Sequence, residues 1–168
     1  MNTNKMKLTT IRLNRLRTQG YTCQSDEELS SLAFGNRFAY RACVILLIPG
    51  VVLANLPLLL IMMFFAFLGV VLPNHPFDYI YNHLLSKRMK KPQLPPRSIQ
   101  LKFTCSLATL WIGATAYLFY IELMLAGYIL GGLLIGTALL VSTIDLCIPS
   151  MIYNSLFRKR VRASQLDV

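Results

Sequence analysis

The sequence predicts an all-α integral membrane protein with four transmembrane helices, arranged as two hairpins with short interfacial helices on the cytoplasmic side. Two observations predict this fold class: the apolar composition and the spacing of the basic residues. The 168-residue chain is 55% hydrophobic and only 14% charged. Because soluble domains contain about 25% charged residues, this balance indicates a membrane protein.

Lysine and arginine fall into three groups, within residues 5–41, 87–102 and 158–162. The two intervals between these groups contain neither residue, and each is long enough for two spans of about 20 residues. Two hairpins return all three groups to one face of the membrane, which the positive-inside rule assigns to the cytoplasm. Both termini are therefore expected in the cytoplasm. A nucleic-acid partner is not expected, because the basic residues follow a membrane face.

The predicted membrane domain covers residues 36–154. Its spans are expected at about residues 37–54, 57–72, 103–121 and 128–146, with a cytoplasmic connector at 73–102. A single tilted helix through 42–73 is the alternative for the first two spans. That alternative would place Asn55 and Pro57 at the bilayer centre, and it would leave an odd number of crossings.

The ends of the chain, residues 1–35 and 155–168, are predicted to be basic cytoplasmic segments. In residues 1–20 the apolar positions do not form one helical face, because Arg12 and Arg15 fall among them. We interpret this part as a tail attracted to anionic lipid, with partner binding as the alternative.

A short interfacial helix is predicted from Ser25 to Gly35. Ser25 followed three residues later by Glu28 forms a capping box, which is typical of a helix start. Gly35-Asn36 is the expected end of this helix.

The connector is predicted to form a helix from Pro76 to about Met89, lying along the membrane surface. Its expected apolar stripe is Phe77, Ile80, Tyr81, Leu84 and Leu85, and its opposite, polar face is Asp78, Asn82 and Ser86. Three prolines within residues 92–96 predict a stiff, extended return to the third span.

Four glycines recur in or beside the fourth span: Gly127, Gly131, Gly132 and Gly136. Their spacing allows close approach of two helix backbones. We expect packing inside the bundle, with a homo-oligomer or a partner membrane protein as the alternative. Membrane lipids are the other expected partners.

Asp145 is the polar residue that most needs an explanation, because it follows a long uncharged run at the inner edge of the hydrocarbon. Its interpretation is open between a structural pair with Arg97, Arg37 or Arg41 and a site for a proton, an ion or a substrate. Cys147 follows two residues later. Asp145 and Cys147 are the candidate catalytic residues.

His75, Asp78 and Arg97 are candidate binding residues, because the two-hairpin topology brings the connector to the depth of Asp145. No metal site is expected, since His75 and His83 are eight residues apart and have no neighbouring histidine ligand. No cofactor is expected either.

Three short motifs resemble one known family: His75-Pro-Phe-Asp, Pro95-Pro-Arg97, and Cys147 followed six residues later by Tyr153. In order and spacing, the region 36–154 resembles the bacterial membrane family called domain of unknown function 4395. The resemblance implies a small four-span protein of the bacterial cytoplasmic (inner) membrane with no established activity, and it adds Tyr153 to the candidate binding residues. Ser150 stands where many members have a second cysteine, which weakens a dithiol redox role or a two-cysteine metal role.

Two functions remain open at this point. The first is a structural, accessory or binding component of the membrane, which fits the small packing residues and the lack of a paired catalytic constellation. An enzyme is therefore not favoured. The second is a thiol- or proton-linked transport or redox role that uses Cys147 and Asp145.

Overall fold

In the computed structural model, residues 9–21, 25–89 and 91–158 are described, and every regular element among them is helical. The α-helices are α1 Thr10–Thr18, α2 Asp26–Val52, α3 Leu56–Val71, α4 Pro76–Ile80, α5 Ser86–Met89, α6 Ile99–Tyr120, α7 Met124–Ile144 and α8 Ile148–Tyr153. π-Helical turns follow α4 and α8, at Tyr81–Leu85 and Asn154–Arg158. The predicted all-α class is confirmed for this part of the chain. Of the expected terminal segments 1–35 and 155–168, residues 1–8, 22–24 and 159–168 lie outside the described residues.

Four of these helices form a bundle around one apolar core. Helix α2 packs on α3, α3 on α6, α6 on α7, and α7 on α2, which closes a ring. The side chains on the facing sides of these four helices form the core. The core includes Leu47, Leu59, Met62, Ile112, Phe119 and Leu134.

Three helices of the bundle, α2, α6 and α7, are long and apolar enough to cross a membrane. Helix α3 has 16 residues, which span about 24 Å at 1.5 Å per residue. Together with the helical segment Pro76–Met89, to which it is bent by 79°, α3 is a fourth candidate. Three or four apolar helices of this kind are compatible with a multi-pass membrane protein.

Helix α2 is one continuous helix that includes both the predicted interfacial helix and most of the predicted first span. The predicted capping box is present, since Glu28 N donates to Ser25 Oγ and Ser25 N donates to Glu28 Oε2. The predicted end at Gly35 is wrong, because the helix continues to Val52. Gly35 serves close packing instead: a Cβ there would lie 2.6 Å from Cε1 of Tyr81.

Residues 10–18 form a docked helix rather than the expected tail. Leu13 and Leu16 of α1 pack in a second apolar cluster with Leu29 of α2. Arg15, which interrupts the apolar face, donates from Nη1 to the carbonyl of Ile144 at 2.9 Å. That carbonyl is at the C-terminal end of α7, where the helix dipole favours a cation. The basic residue is therefore part of the docking contact.

One end of the bundle gathers α1, the start of α6, the end of α7, and α8; we call it the basic end. Here Ser98 Oγ donates to the carbonyl of Gln19, and Asn154 Nδ2 donates to the carbonyl of Thr18 at 2.7 Å. The turns at 53–55 and 121–123, which join α2 to α3 and α6 to α7, contain no lysine or arginine.

The predicted connector helix is present from Pro76 to Met89, but its buried face only partly matches the expected one. From the expected apolar stripe, Phe77 and Tyr81 are buried, whereas Ile80 and Leu84 are exposed. The polar residues predicted to lie outside, Asp78, Asn82 and Ser86, are all buried.

The buried polar face binds the extended return at residues 91–98. Asn82 accepts a hydrogen bond from the backbone N–H of Leu94 at 2.8 Å and donates to its carbonyl at 3.2 Å. Ser86 Oγ donates to the carbonyl of Lys91 at 2.7 Å. A return without regular structure needs such partners, because its buried backbone groups have no helical ones.

The glycines of α7 divide into two pairs. Gly127 and Gly131 are buried, and in each case an added Cβ would lie 2.6 Å from the nearest side-chain atom, which for Gly131 is Cγ1 of Val51. Gly132 and Gly136 have no atom within 4 Å of such a Cβ. Packing inside the bundle is therefore the role of the first pair.

Candidate functional site

A cavity of about 360 Å³ lies among the bundle helices. Its walls are mainly apolar side chains, including Leu47, Met62, Trp111, Leu134, Val141 and Ile152. Four polar side chains border it toward the basic end, and together we call them the polar corner: Tyr40, His75, Arg97 and Thr104. Thr137 of α7 also lines the cavity, but its hydroxyl donates to the carbonyl of Leu134 in the same helix. The cavity thus combines mainly apolar walls with the polar corner.

Arg97 is held by the connector. Its Nε donates to Asp78 Oδ2 at 2.6 Å and its Nη2 donates to Asp78 Oδ1 at 3.2 Å. The two side chains are only 5% and 4% exposed. The backbone N–H of Arg97 also donates to the carbonyl of Pro73 at 2.7 Å. This two-point pair fixes the guanidinium and neutralises its charge within the protein.

His75 is the N-cap of α4. Its Nδ1 accepts a hydrogen bond from the backbone N–H of Phe77 at 3.3 Å, and its own N–H donates to Asp78 Oδ2 at 3.0 Å. Burial lowers the pKa of His75 to about 4; the Arg97 guanidinium also lowers it, and the Asp78 carboxylate opposes the shift. The imidazole is therefore neutral near pH 7. Because Nδ1 accepts, the ring proton is on Nε2.

Two cysteines, Cys43 and Cys105, line the cavity. The Sγ atom of Cys105 accepts from Nη1 of Arg97 at 3.2 Å. A Cβ on Gly69 would lie 2.5 Å from Cδ2 of His75 and 3.0 Å from Sγ of Cys105. The glycine therefore allows the histidine ring and the thiol to approach the same stretch of α3.

Tyr40 completes the polar corner, although it is not among the candidate residues predicted from the sequence. Its hydroxyl oxygen is buried and has no hydrogen-bond partner among the described residues. Its ring centroid is 5.9 Å from Cζ of Arg97, within cation–π range. Only one local signal could have identified it: a hydroxyl inside an otherwise apolar span, since buried tyrosine hydroxyls usually find a partner.

Asp145 lies outside the cavity and is completely buried. Arg37 binds both carboxylate oxygens, with 2.7 Å between its Nε and Oδ1. Gln19 Nε2 donates to the backbone carbonyl of Asp145 at 2.9 Å, and Asn36 Nδ2 donates to Oε1 of Gln19 at 3.0 Å. Of the three arginines considered as partners, Arg37 is the one in contact. Asp145 therefore joins α1, α2 and the end of α7.

Cys147 is 1% exposed and also lies outside the cavity lining. Ser150 Oγ donates to its Sγ at 3.1 Å, and Thr104 Oγ1 lies 3.5 Å from the same sulfur. Tyr153 packs its ring 5.4 Å from that of Phe103. The structure thus brings His75 and Arg97 to the cavity, with Asp78 behind Arg97. Asp145 and Tyr153 contact other groups, and Cys147 contacts the polar corner only through Thr104.

The described ranges 9–21, 25–89 and 91–158 contain no cluster of side chains suited to bind a metal ion. Within them, no group of three or more His, Cys, Asp or Glu side chains is placed to hold a metal ion. The polar corner offers hydrogen-bond donors, and its guanidinium is paired with Asp78.

Comparison with known proteins identifies one family. The family described as Domain of unknown function (DUF4395) matches residues 34–158. No curated protein and no solved structure matches the chain. The matched region contains all four bundle helices apart from the first turns of α2, and it includes every residue of the polar corner. The chain therefore belongs to the domain of unknown function 4395 family.

Proposed function

We propose that this protein is a membrane binding or accessory component that holds a small lipophilic molecule inside its helix bundle. The cavity carries this proposal: about 360 Å³ with mainly apolar walls and one polar corner. Ligand pockets commonly measure about 300–1,000 Å³ and lie between the helices of bundles, with a few polar groups that orient the ligand. An apolar cavity of about 150 Å³ already binds benzene, so this one has room for a two-ring molecule.

We further propose four spans in two hairpins, with both termini and the connector in the cytoplasm of a bacterium. The distribution of charge supports this topology: Arg15 and Arg37 both bind the C-terminal end of α7, at the basic end. The opposite turns carry Asn55 and Glu122 but no lysine or arginine. Membrane lipids would then surround the apolar outer faces of the bundle.

Cysteine labelling tests this topology, because Asn55, Glu122 and Lys87 are all exposed. A cysteine at Asn55 or Glu122 should react with an impermeant maleimide added to intact cells whose outer membrane is permeable. A cysteine at Lys87 should react only after the inner membrane is opened. Labelling of Lys87→Cys in intact cells would overturn the topology.

A matched pair of α6 variants tests the binding function. Ala108 lines the cavity, whereas Ala114 is exposed on the outside of the same helix. Ala108→Leu should fill part of the cavity and exclude the ligand, and Ala114→Leu should leave it bound. Native mass spectrometry of gently extracted protein is expected to show a bound small molecule in the wild type and in Ala114→Leu, but not in Ala108→Leu. Equal retention in both variants, or none in the wild type, would refute the proposal.

The alternative of a thiol- or proton-linked role for Cys147 and Asp145 has no comparable support. Asp145 is bound to Arg37. Cys147 is itself outside the cavity lining and contacts the hydroxyl groups of Ser150 and of Thr104, of which only Thr104 borders the cavity. Neither residue faces the space in which a substrate would bind.

A further inference from the structure

The first observation concerns an unused hydroxyl at the cavity. Tyr40 lines the cavity, and its hydroxyl oxygen is buried without a partner among the described residues. A buried polar group normally has a hydrogen-bond partner, so an unpartnered one beside a cavity requires an explanation. A ligand with a hydrogen-bonding atom at this position would supply the missing partner.

The second observation is the hydrogen-bonding state of His75. Its Nδ1 accepts from the backbone N–H of Phe77, so the ring proton is on Nε2. Within the described part of the chain, no hydrogen bond is formed by Nε2. The ring lines the cavity beside Cys105. His75 therefore contributes a second unused donor.

The third observation is that the polar corner carries no free charge. Arg97 is bound at two points by Asp78, and its Nη1 already donates to Cys105. A buried pair of this kind is electrically neutral as a unit. An anionic head group would lose its hydration without meeting an uncompensated cation, which opposes its binding.

From these three observations we propose that the cavity selects an uncharged lipophilic molecule with a hydrogen-bond acceptor oxygen, such as an aromatic ketone. Its carbonyl oxygen accepts from the hydroxyl of Tyr40 and from Nε2 of His75, and its rings lie among the apolar walls near Trp111. This assignment rests on the proposed binding function and specifies its ligand class.

Three naphthalene probes of similar size test the ligand class: 2-acetylnaphthalene, 2-ethylnaphthalene and the anion 2-naphthoate. Binding is measured by isothermal titration calorimetry on the full chain at one fixed detergent concentration. The proteins compared are wild type, Tyr40→Phe, Tyr81→Phe and Ala108→Leu. Tyr81 provides the matched control, because its hydroxyl is also buried and unpartnered but the residue does not line the cavity.

The ketone is expected to bind wild type more than about tenfold more tightly than the hydrocarbon or the anion, because one ordinary hydrogen bond contributes about tenfold and the carbonyl oxygen accepts two. Tyr40→Phe should remove about tenfold of the affinity for the ketone and leave the hydrocarbon unchanged, and Tyr81→Phe should alter neither. If the ketone and the hydrocarbon bind the wild type equally and neither binds Ala108→Leu, the proposed ligand class is wrong but the binding function is supported. Tighter binding of 2-naphthoate would overturn the ligand class as well. Failure of all three probes to bind wild type would overturn both.

Discussion

Arg37 and Asp145, which are 108 residues apart, form a two-point ion pair in which the carboxylate is completely buried. The pair joins the first long helix of the bundle to the end of the last. Gln19 binds the backbone carbonyl of the same aspartate, so α1 is attached at the same place. The polar residue that most resembled a catalytic group in the sequence is therefore part of a structural junction.

Removing Arg37 should destabilise the protein strongly. Arg37→Leu leaves a buried, unpaired carboxylate, and breaking a buried pair in this way costs about 3–5 kcal/mol. Arg41→Leu, at an exposed position of the same helix, should cost about 0.5 kcal/mol or less. Thermal unfolding in detergent measures both variants. Adding Asp145→Asn to Arg37→Leu should recover part of the lost stability, because it removes the unpaired charge. Equal melting temperatures for Arg37→Leu and Arg41→Leu would contradict a structural role for the Arg37–Asp145 pair.

Stability should depend on pH through His75, which lies in the connector outside the long helices. Its pKa is about 4 in the folded protein, against 6.5 for an unperturbed histidine. Between these values the unfolded state binds the proton and the folded state does not, so stability falls as pH falls from about 6.5 to about 4. The total loss is about 3 kcal/mol, and it does not grow further below about pH 4.

The control for this pH dependence is the second histidine, His83, which is exposed. In unfolding curves recorded at several pH values, His75→Gln should lose most of the slope between pH 6.5 and 4. His83→Gln should keep it. An unchanged slope in His75→Gln would show that another group titrates.

Two adjacent glycines of α7 should respond differently to alanine. In Gly131→Ala the new Cβ would meet Val51 at 2.6 Å, and such overpacking costs about 1–3 kcal/mol. In Gly132→Ala the Cβ meets no atom within 4 Å, so the free energy of unfolding should stay the same or rise by up to about 1 kcal/mol, because alanine is the better helix former. A loss of stability in Gly132→Ala would reveal a contact outside the single chain.

Loss of the Asn82 side chain should free the return segment of the connector. Asn82→Ala removes the partners of both backbone groups of Leu94, and a buried group left unpaired costs about 1–3 kcal/mol. Hydrogen–deuterium exchange of residues 91–98 should accelerate in this variant. Gln93→Ala, at an exposed position of the same segment, should exchange at the wild-type rate. A wild-type exchange rate in Asn82→Ala as well would show that other contacts hold the segment.

The main helices could be predicted because their signals are local. Apolar runs bounded by basic groups locate all four bundle helices to within a few residues, except at the start of α2. The cap at Ser25 and the helix start at Pro76 could be predicted for the same reason, because each depends on residues within three or four positions.

The contacts that define the site could not be predicted, because they join distant residues. Arg15 looked like an interruption of an apolar face, and only the carbonyl of Ile144, 129 residues away, explains its position. The choice of Arg37 over Arg97 for Asp145 depends on Asp78, which already holds Arg97. Tyr40 became a candidate only once the packing showed that its hydroxyl has no partner.

Trp111 is the only tryptophan of the chain and lines the cavity, so its fluorescence reports directly on entry of a lipophilic molecule. Titration with 2-acetylnaphthalene at fixed detergent should reduce Trp111 emission in the wild type to a plateau at one equivalent. In Ala108→Leu only a linear decrease is expected, from probe dissolved in the micelle. The same linear decrease in both proteins would contradict a binding cavity in this bundle.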